Sequence, residues 1–347
     1  MALNGSNGVH SSVTRPLQPG IFAPIPTFFF PDTEDLDIAS FESHIVRLAQ
    51  ANVGPLLAGS MGEALHLSHE ERKTLIKAAR GALDAAGFTH VPIIAGTGAG
   101  STRETIQLNK EAADAGADYA IVITSGYFAG VLASNRKALK DFYAEVSEKS
   151  PISIIIYNYP GASGGIDLDS DLITEIATDC PNTCGVKLTC GSVGKLTRIC
   201  ATVSDPSFAS AHPRRNAAAP FLVLGGFTDF IVASTFANGH GAITGLANVA
   251  PYAVAKLFEV SVLAFKDPSF LAEAQRLQGV IACADFTIAK ASISGTKYLL
   301  EKLYGYGGLP RRPLPPIEPK AAEALWLHPH TQDLVKLERS LSGKVVS

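Results

Sequence analysis

From residue 21 onward, short apolar runs alternate with longer stretches in which apolar residues recur at helical spacing. That alternation predicts a βαβα chain, with a parallel sheet and helices on its outer face. Eight apolar runs read as strands: residues 21–25, 55–58, 91–95, 119–124, 152–157, 185–188, 221–224 and 241–244. Eight strands close a barrel, whereas an open doubly wound sheet usually stops at about five to seven, so the expected fold class is α/β, a (β/α)8 TIM barrel.

Ser68 with Glu71 and Ser101 with Glu104 each give S-x-x-E ahead of a helical run, a capping-box signal that starts helices directly after the second and third strands. After the eighth strand, residues 251–265, 271–283 and 288–303 keep the helical period without a further strand. A Pro-rich stretch at 309–319 precedes a last amphipathic helix near 320–327. The expected organisation is a mobile N-terminal tail over 1–19, the barrel over 20–265 and a C-terminal helical region over 266–347. One long connection, 205–220, holds Pro206, Pro213 and Pro220 with Arg214 and Arg215 and reads as a solvated surface loop.

The chain has 347 residues, 46% of them hydrophobic, enough for one barrel of about 250 residues plus an appendage. Its net charge of -3 and lack of a basic block argue against nucleic acid or an anionic membrane as partner and favour small molecules. No apolar run reaches the roughly 18 residues of a membrane-spanning helix, and the Ser, Gly, Asn and Pro-rich start lacks a signal-peptide core. Five cysteines, Cys180, Cys184, Cys190, Cys200 and Cys283, are an odd count that suits reduced thiols and a cytoplasmic location. Zinc at Cys180, Cys184 and Cys190 is the alternative, but their spacing lacks a C-x2-C pair.

In such barrels the site lies at the carboxyl ends of the strands, so a polar residue closing an apolar strand is where chemistry is sought. The fifth strand ends in Ile156-Tyr157-Asn158-Tyr159-Pro160, placing a phenol where it can relay protons, or where it is a packed aromatic with a satisfied hydroxyl. The sixth is Cys184-Gly185-Val186-Lys187-Leu188-Thr189, a lysine between aliphatic neighbours. Burial there would lower its pKa and supply a free amine to attack a carbonyl carbon. The alternative is an ammonium that reaches the rim or meets a carboxylate. Thr189 shares the inward face with Lys187, and its hydroxyl is placed to stabilise a carbinolamine. The second strand ends in Ala58-Gly59-Ser60-Met61-Gly62-Glu63, whose glycines let backbone N–H groups turn toward an anion, or simply make a tight turn. Gly96-Thr97-Gly98-Ala99-Gly100 misses the dinucleotide spacing, and His66, His69 and Glu70 lack an H-E-x-x-H arrangement. No metal site is expected.

Taken together, Gly59-Ser60-Met61-Gly62-Glu63, Tyr157-Asn158-Tyr159-Pro160, Gly185-Val186-Lys187 and the eighth-strand segment Gly241 to Asn248 resemble the dihydrodipicolinate synthase and N-acetylneuraminate lyase family of class I aldolases. The resemblance runs from about residue 20 to 340. It implies that Lys187 forms an imine with the 2-oxo acid, that Tyr157 transfers protons, and that Ser60 and the N–H groups around Ser60 and Met61 hold the substrate carboxylate. Thr189, Gly226 and Ile243 are implied as further substrate-binding positions. Thr124-Ser125-Gly126-Tyr127 matches the segment whose tyrosine completes a proton relay in a neighbouring subunit, so Tyr127 implies a homo-oligomer, dimer or tetramer.

Departures bear on the substrate. Where dihydrodipicolinate synthases carry an arginine two residues beyond Pro160, this chain has Ala162, losing a bidentate carboxylate clamp. Met61 replaces the second threonine of the family's G-T-T-G-E, and Thr189 is similar to the hydroxyl found there in 4-hydroxy-2-oxoglutarate aldolases. The expected reaction is reversible cleavage of a 4-hydroxy-2-oxo acid or 2-keto-3-deoxy acid to pyruvate and an aldehyde, or to a glyoxylate-type partner. The lysine does the electronic work, so no cofactor or metal is expected. The alternatives are dihydrodipicolinate synthesis, a metal-dependent aldolase or hydrolase on the same barrel, and a non-catalytic barrel that binds a 2-oxo acid.

Overall fold

The computed structural model describes residues 15–343. Eight parallel strands, β1 (Gly20–Pro24), β2 (Val53–Leu57), β3 (Ile94–Gly96), β4 (Tyr119–Ile123), β5 (Ser153–Asn158), β6 (Thr183–Leu188), β7 (Leu222–Gly225) and β8 (Gly241–Ile243), pair in chain order. β8 returns to β1, with Ile243 opposite Phe22, and closes the expected barrel. β5 and β6 are buried along their whole length, because a parallel strand covered by helices has no face in water.

A principal helix follows each strand, the seventh of them short: α1 (Ile38–Gln50), α2 (His69–Ala85), α3 (Thr102–Ala115), α4 (Arg136–Lys149), α5 (Ser170–Asp179), α6 (Val193–Val203), α7 (Ile231–Phe236) and α8 (Pro251–Lys266). Side chains of Asp37, Ser68, Ser101, Asn135, Asp169 and Ser192 cap the first six. Ser68 and Glu71 complete a capping box; at Ser101 the serine half is present. Each cap closes a strand-to-helix loop, so the residues that start the helices also hold the loops at the barrel mouth.

Among the described residues four α-helices follow the barrel: α9 (Leu271–Ala289), α10 (Ser292–Tyr304), α11 (Pro319–Leu327) and α12 (Pro329–Leu341). The last corrects the expectation that the chain's final helix lies near 320–327. Pro329 starts α12 rather than ending a helix, since the first turn needs no N–H from it, and buried Leu334 and Val335 dock it.

The tail expectation also needs correction. Residues 1–14 lie outside the described residues, but residues 15–19 are fixed. Leu17 is buried under the barrel and its N–H donates to the Ala218 carbonyl at 3.0 Å. Arg15 pairs with Asp118 at 3.1 Å, and the Tyr119 hydroxyl donates to the Arg15 carbonyl at 2.7 Å. The connection 205–220, expected as a solvated loop, is partly built in. It contains a helical turn, Phe208–Ala211, with Phe208 buried, and Arg214 donates to the carbonyls of Cys180, Thr183 and His212. It leads into the amino end of β7, opposite the mouth, so it does not border the site.

A buried network joins α1 to the last strand. His44 lies 3.0 Å from Asn248 Oδ1 through Nε2, and Arg47 approaches its Nδ1 at 3.1 Å. A guanidinium only donates, so Nδ1 accepts and Nε2 carries the proton. Asn248 donates in turn to the carbonyls of Pro24 and Gly245, tying the ends of β1 and β8 together. Burial first, and the Arg47 charge second, hold the His44 imidazole well below its ordinary value of 6.5. Below that pH the unfolded chain takes up a proton that the folded chain refuses, so stability contributed above it is lost on acidification. We expect urea unfolding to show roughly 1.4 kcal/mol lost from this group per pH unit below that value. An equal slope in His44→Asn would show that other groups set the dependence.

Candidate active site

Tyr157 and Lys187 stand opposite each other in the β5–β6 register, and both point into the barrel. Lys187 is 4% exposed, and its Nζ lies 4.1 Å from the centre of the Tyr157 ring. Among the described residues it has no ion pair or hydrogen-bond partner, so the alternative of a lysine neutralised by a carboxylate is not what the fold builds. The amine is left uncommitted, against an aromatic face and inside an apolar wall. Tyr159, two residues on, stacks over Tyr157 with ring centres 5.7 Å apart and planes at 25°.

Thr189 follows directly on β6. Its Oγ1 is buried with no hydrogen-bond partner, and it lies so close to Gly226 that a Cβ there would sit 2.2 Å from it. A buried hydroxyl without a partner costs free energy until a ligand or water meets it. Gly226 is held from outside the barrel. Asp285 on α9 accepts from the Thr228 N–H at 2.7 Å and its hydroxyl at 2.5 Å, while Gln278 receives the Val232 N–H and donates to the Thr228 carbonyl. Burial pushes the Asp285 carboxyl up to about 6 against those hydrogen bonds. Ile243 is fully buried at the end of β8 and lines the same interior.

The turn after β2 is bracketed by two left-handed residues that are not glycine, Ala58 (φ 49°) and Glu63 (φ 55°). Such positions cost of order 1–3 kcal/mol each and persist only where surroundings enforce them. Gly96 is one enforcer, for a Cβ on it would lie 2.1 Å from the Ala58 carbonyl oxygen. Glu63 is the other. Its carboxylate is fully buried and receives Lys297 Nζ at 2.9 Å, the Arg311 N–H at 2.8 Å and a contact from His66 at 3.2 Å. Lys297, equally buried on α10, also donates to the Thr27 carbonyl. Burial lowers its pKa while Glu63 opposes that shift. The C-terminal region thus clamps the turn that presents exposed Ser60 and half-buried Met61, whose side-chain methyl lies beside Gly245.

Sequence reasoning assigned Glu63 no role and missed Lys297, Arg311, Asp285 and Gln278 altogether. Lys297 lies 234 residues from Glu63, so no local pattern joins them. A glutamate inside a glycine-rich turn was the one available signal.

Tyr127 is not brought to this site within one chain. It is 90% exposed, with its ring edge-on to Phe128, and Phe128 and Val131 beside it are exposed too. Ala162 sits exposed on the turn Pro160–Ala162. The five cysteines are unpaired, and burial pushes the thiols of Cys180, Cys184 and Cys200 up, to about 11, 12 and 12. Among the described residues no group of three or more His, Cys, Asp or Glu side chains is placed to hold a metal ion, and no helix is long and apolar enough to cross a membrane.

Known proteins are similar to this chain in sequence and fold. The chain is 41% identical over 336 residues to the L-threo-3-deoxy-hexylosonate aldolase of Aspergillus niger, covering 94% of this chain and 98% of that one. It is 41% identical over 331 residues to the Emericella nidulans protein named "Probable 4-hydroxy-2-oxoglutarate aldolase, mitochondrial", covering 95% and 99%. The crystal structure of a dihydrodipicolinate synthase family protein from Coccidioides immitis superposes with a TM-score of 0.77 at 34% identity, over 96% of this chain and all of that one. The model of the dihydrodipicolinate synthetase family matches residues 19–326, and the chain belongs to that family as a class I, pyruvate-dependent aldolase.

Proposed function

We propose that the chain reversibly cleaves 4-hydroxy-2-oxo acids, including 2-keto-3-deoxy acids, to pyruvate and an aldehyde through an imine on Lys187. The observation that carries this reading is the unpartnered amine of Lys187 against the Tyr157 ring, with the unsatisfied Thr189 hydroxyl beside it. The amine adds to C2 of the substrate, and water leaves to give an iminium. Tyr157 takes the proton of the C4 hydroxyl, the C3–C4 bond breaks, and its electron pair moves into the iminium to form an enamine. The aldehyde departs, C3 is protonated, and water returns pyruvate and the free lysine. N–H groups of the 58–63 turn hold the C1 carboxylate, the strained turn being rigid enough to fix C2 against the amine.

Tyr127 enters this scheme from a second copy of the chain, which would also cover exposed Phe128 and Val131. Sedimentation at the mass of one chain would remove it. Dihydrodipicolinate synthesis is disfavoured because Ala162 stands where a guanidinium would hold the aldehyde's carboxylate. The cytoplasmic reading rests on the five unpaired thiols, while the Emericella relative is named mitochondrial; imaging of the tagged full chain decides between them.

The direct test is coupled detection of pyruvate released from a panel of 4-hydroxy-2-oxo and 2-keto-3-deoxy acids. We expect metal-independent turnover of at least one of them, unaffected by a chelator. Release abolished by the chelator, or none across the panel, would overturn the reading.

A further inference from the structure

Every loop that borders the mouth leads from a strand's carboxyl end into the next helix: residues 25–37, 58–68, 97–101, 124–135, 159–169, 189–192, 226–230 and 244–250. None of them contains a lysine or an arginine, although they hold acids, Glu63, Asp167 and Asp229 among them. The cations that approach these loops from elsewhere are already committed. Lys297 is bound to Glu63, Lys195 to Asp167 and the Leu168 carbonyl, Arg311 to Glu71, Arg312 to Glu34, Arg136 to Asp169, Arg47 to the Asn248 carbonyl, and Arg72 to the carbonyls of Gly96 and Ala64. The loop expected to cross from a second chain, 124–135, brings no cation either.

A 2-oxo acid's own C1 carboxylate is met by turn N–H groups and by the positive imine. A second carboxylate on the aldehyde half has nothing comparable, and a desolvated anion without a partner is costly. What the mouth offers instead is a phenol. Tyr159, the first residue beyond β5, packs on the interior cluster and stacks on the Tyr157 ring. It is half-buried, and among the described residues its hydroxyl has no hydrogen-bond partner. Gly161 lets the ring lie there, since a Cβ at that position would be 3.0 Å from it. Burial pushes the Tyr159 phenol up, so it stays a neutral donor and acceptor suited to an alcohol.

We infer that the site selects substrates whose aldehyde half is a neutral, hydroxylated chain, a 2-keto-3-deoxy sugar acid rather than a dicarboxylate such as 4-hydroxy-2-oxoglutarate, and that Tyr159 is the residue that reads the hydroxyls. This rests on the lysine-imine reading above.

The test measures kcat/KM for pyruvate release from a 2-keto-3-deoxy-hexonate, from 4-hydroxy-2-oxoglutarate and from 4-hydroxy-2-oxopentanoate, whose tail carries no hydroxyl. The wild type should prefer the hexonate over the dicarboxylate by at least about tenfold. In Tyr159→Phe, the ratio of hexonate to oxopentanoate should fall by about tenfold, the effect of one lost hydrogen bond. Ala162→Arg should move the hexonate-to-dicarboxylate ratio at least about tenfold toward the dicarboxylate. Borohydride trapping of pyruvate is run on each protein in parallel. Trapping with a wild-type preference for the dicarboxylate, or an unchanged ratio in Tyr159→Phe, overturns this inference alone; failure of the wild type to trap overturns the lysine-imine reading beneath it.

Discussion

In Lys187→Ala, borohydride reduction with pyruvate present leaves the intact mass of the protein unchanged, while the wild type gains one reduced pyruvate adduct. The expectation follows from a buried amine that, among the described residues, has no hydrogen-bond or ion-pair partner and lies against the Tyr157 ring inside the barrel. Without it the C3–C4 bond has no electron sink, and kcat/KM should fall by at least about a thousandfold, roughly 4 kcal/mol of transition-state stabilisation. Truncation also removes the side chain packed on the Tyr157 ring, so the variant's circular dichroism and melting are read alongside. A folded Lys187→Ala that still forms the adduct would place the imine on another lysine. A wild type that forms none would remove the imine altogether.

Tyr157→Phe should lower kcat by about 10² to 10⁴-fold, the range of a positioned acid–base group, and weaken imine formation without abolishing it. The ring itself stays: phenylalanine keeps the aromatic face under Lys187 and the stack with Tyr159, so the lost oxygen is the variable tested. Kinetics equal to the wild type would take Tyr157 out of the proton relay. A loss confined to KM would make it a binding group, since a proton carrier acts on the bond-breaking step.

Much of this architecture was legible in one dimension. The eight apolar runs had to become barrel strands because parallel strands under helices are buried on both faces, and that demand is written as uninterrupted apolar residues. Tyr157 and Lys187 stood out for the same reason, as polar groups closing runs that otherwise exclude them, and Ser68 announced its helix through Glu71 three residues on. Local rules of short range carry that information.

Three things waited for tertiary structure. The register that sets Lys187 Nζ on the Tyr157 ring depends on how two strands slide past each other, which neither strand encodes alone. The clamps on the 58–63 turn and the β7 loop join Glu63 to Lys297 and Thr228 to Asp285, pairs distant in the chain, and at such separation a glutamate, lysine or aspartate looks like any solvated charge. The absence of lysine and arginine from the mouth loops is a property of eight loops at once, visible only when closure of the barrel brings them to one rim. Periodicity within a segment reports what that segment buries; it carries nothing about which distant charge will be buried with it, because the desolvation that forces such pairing exists only in the folded chain.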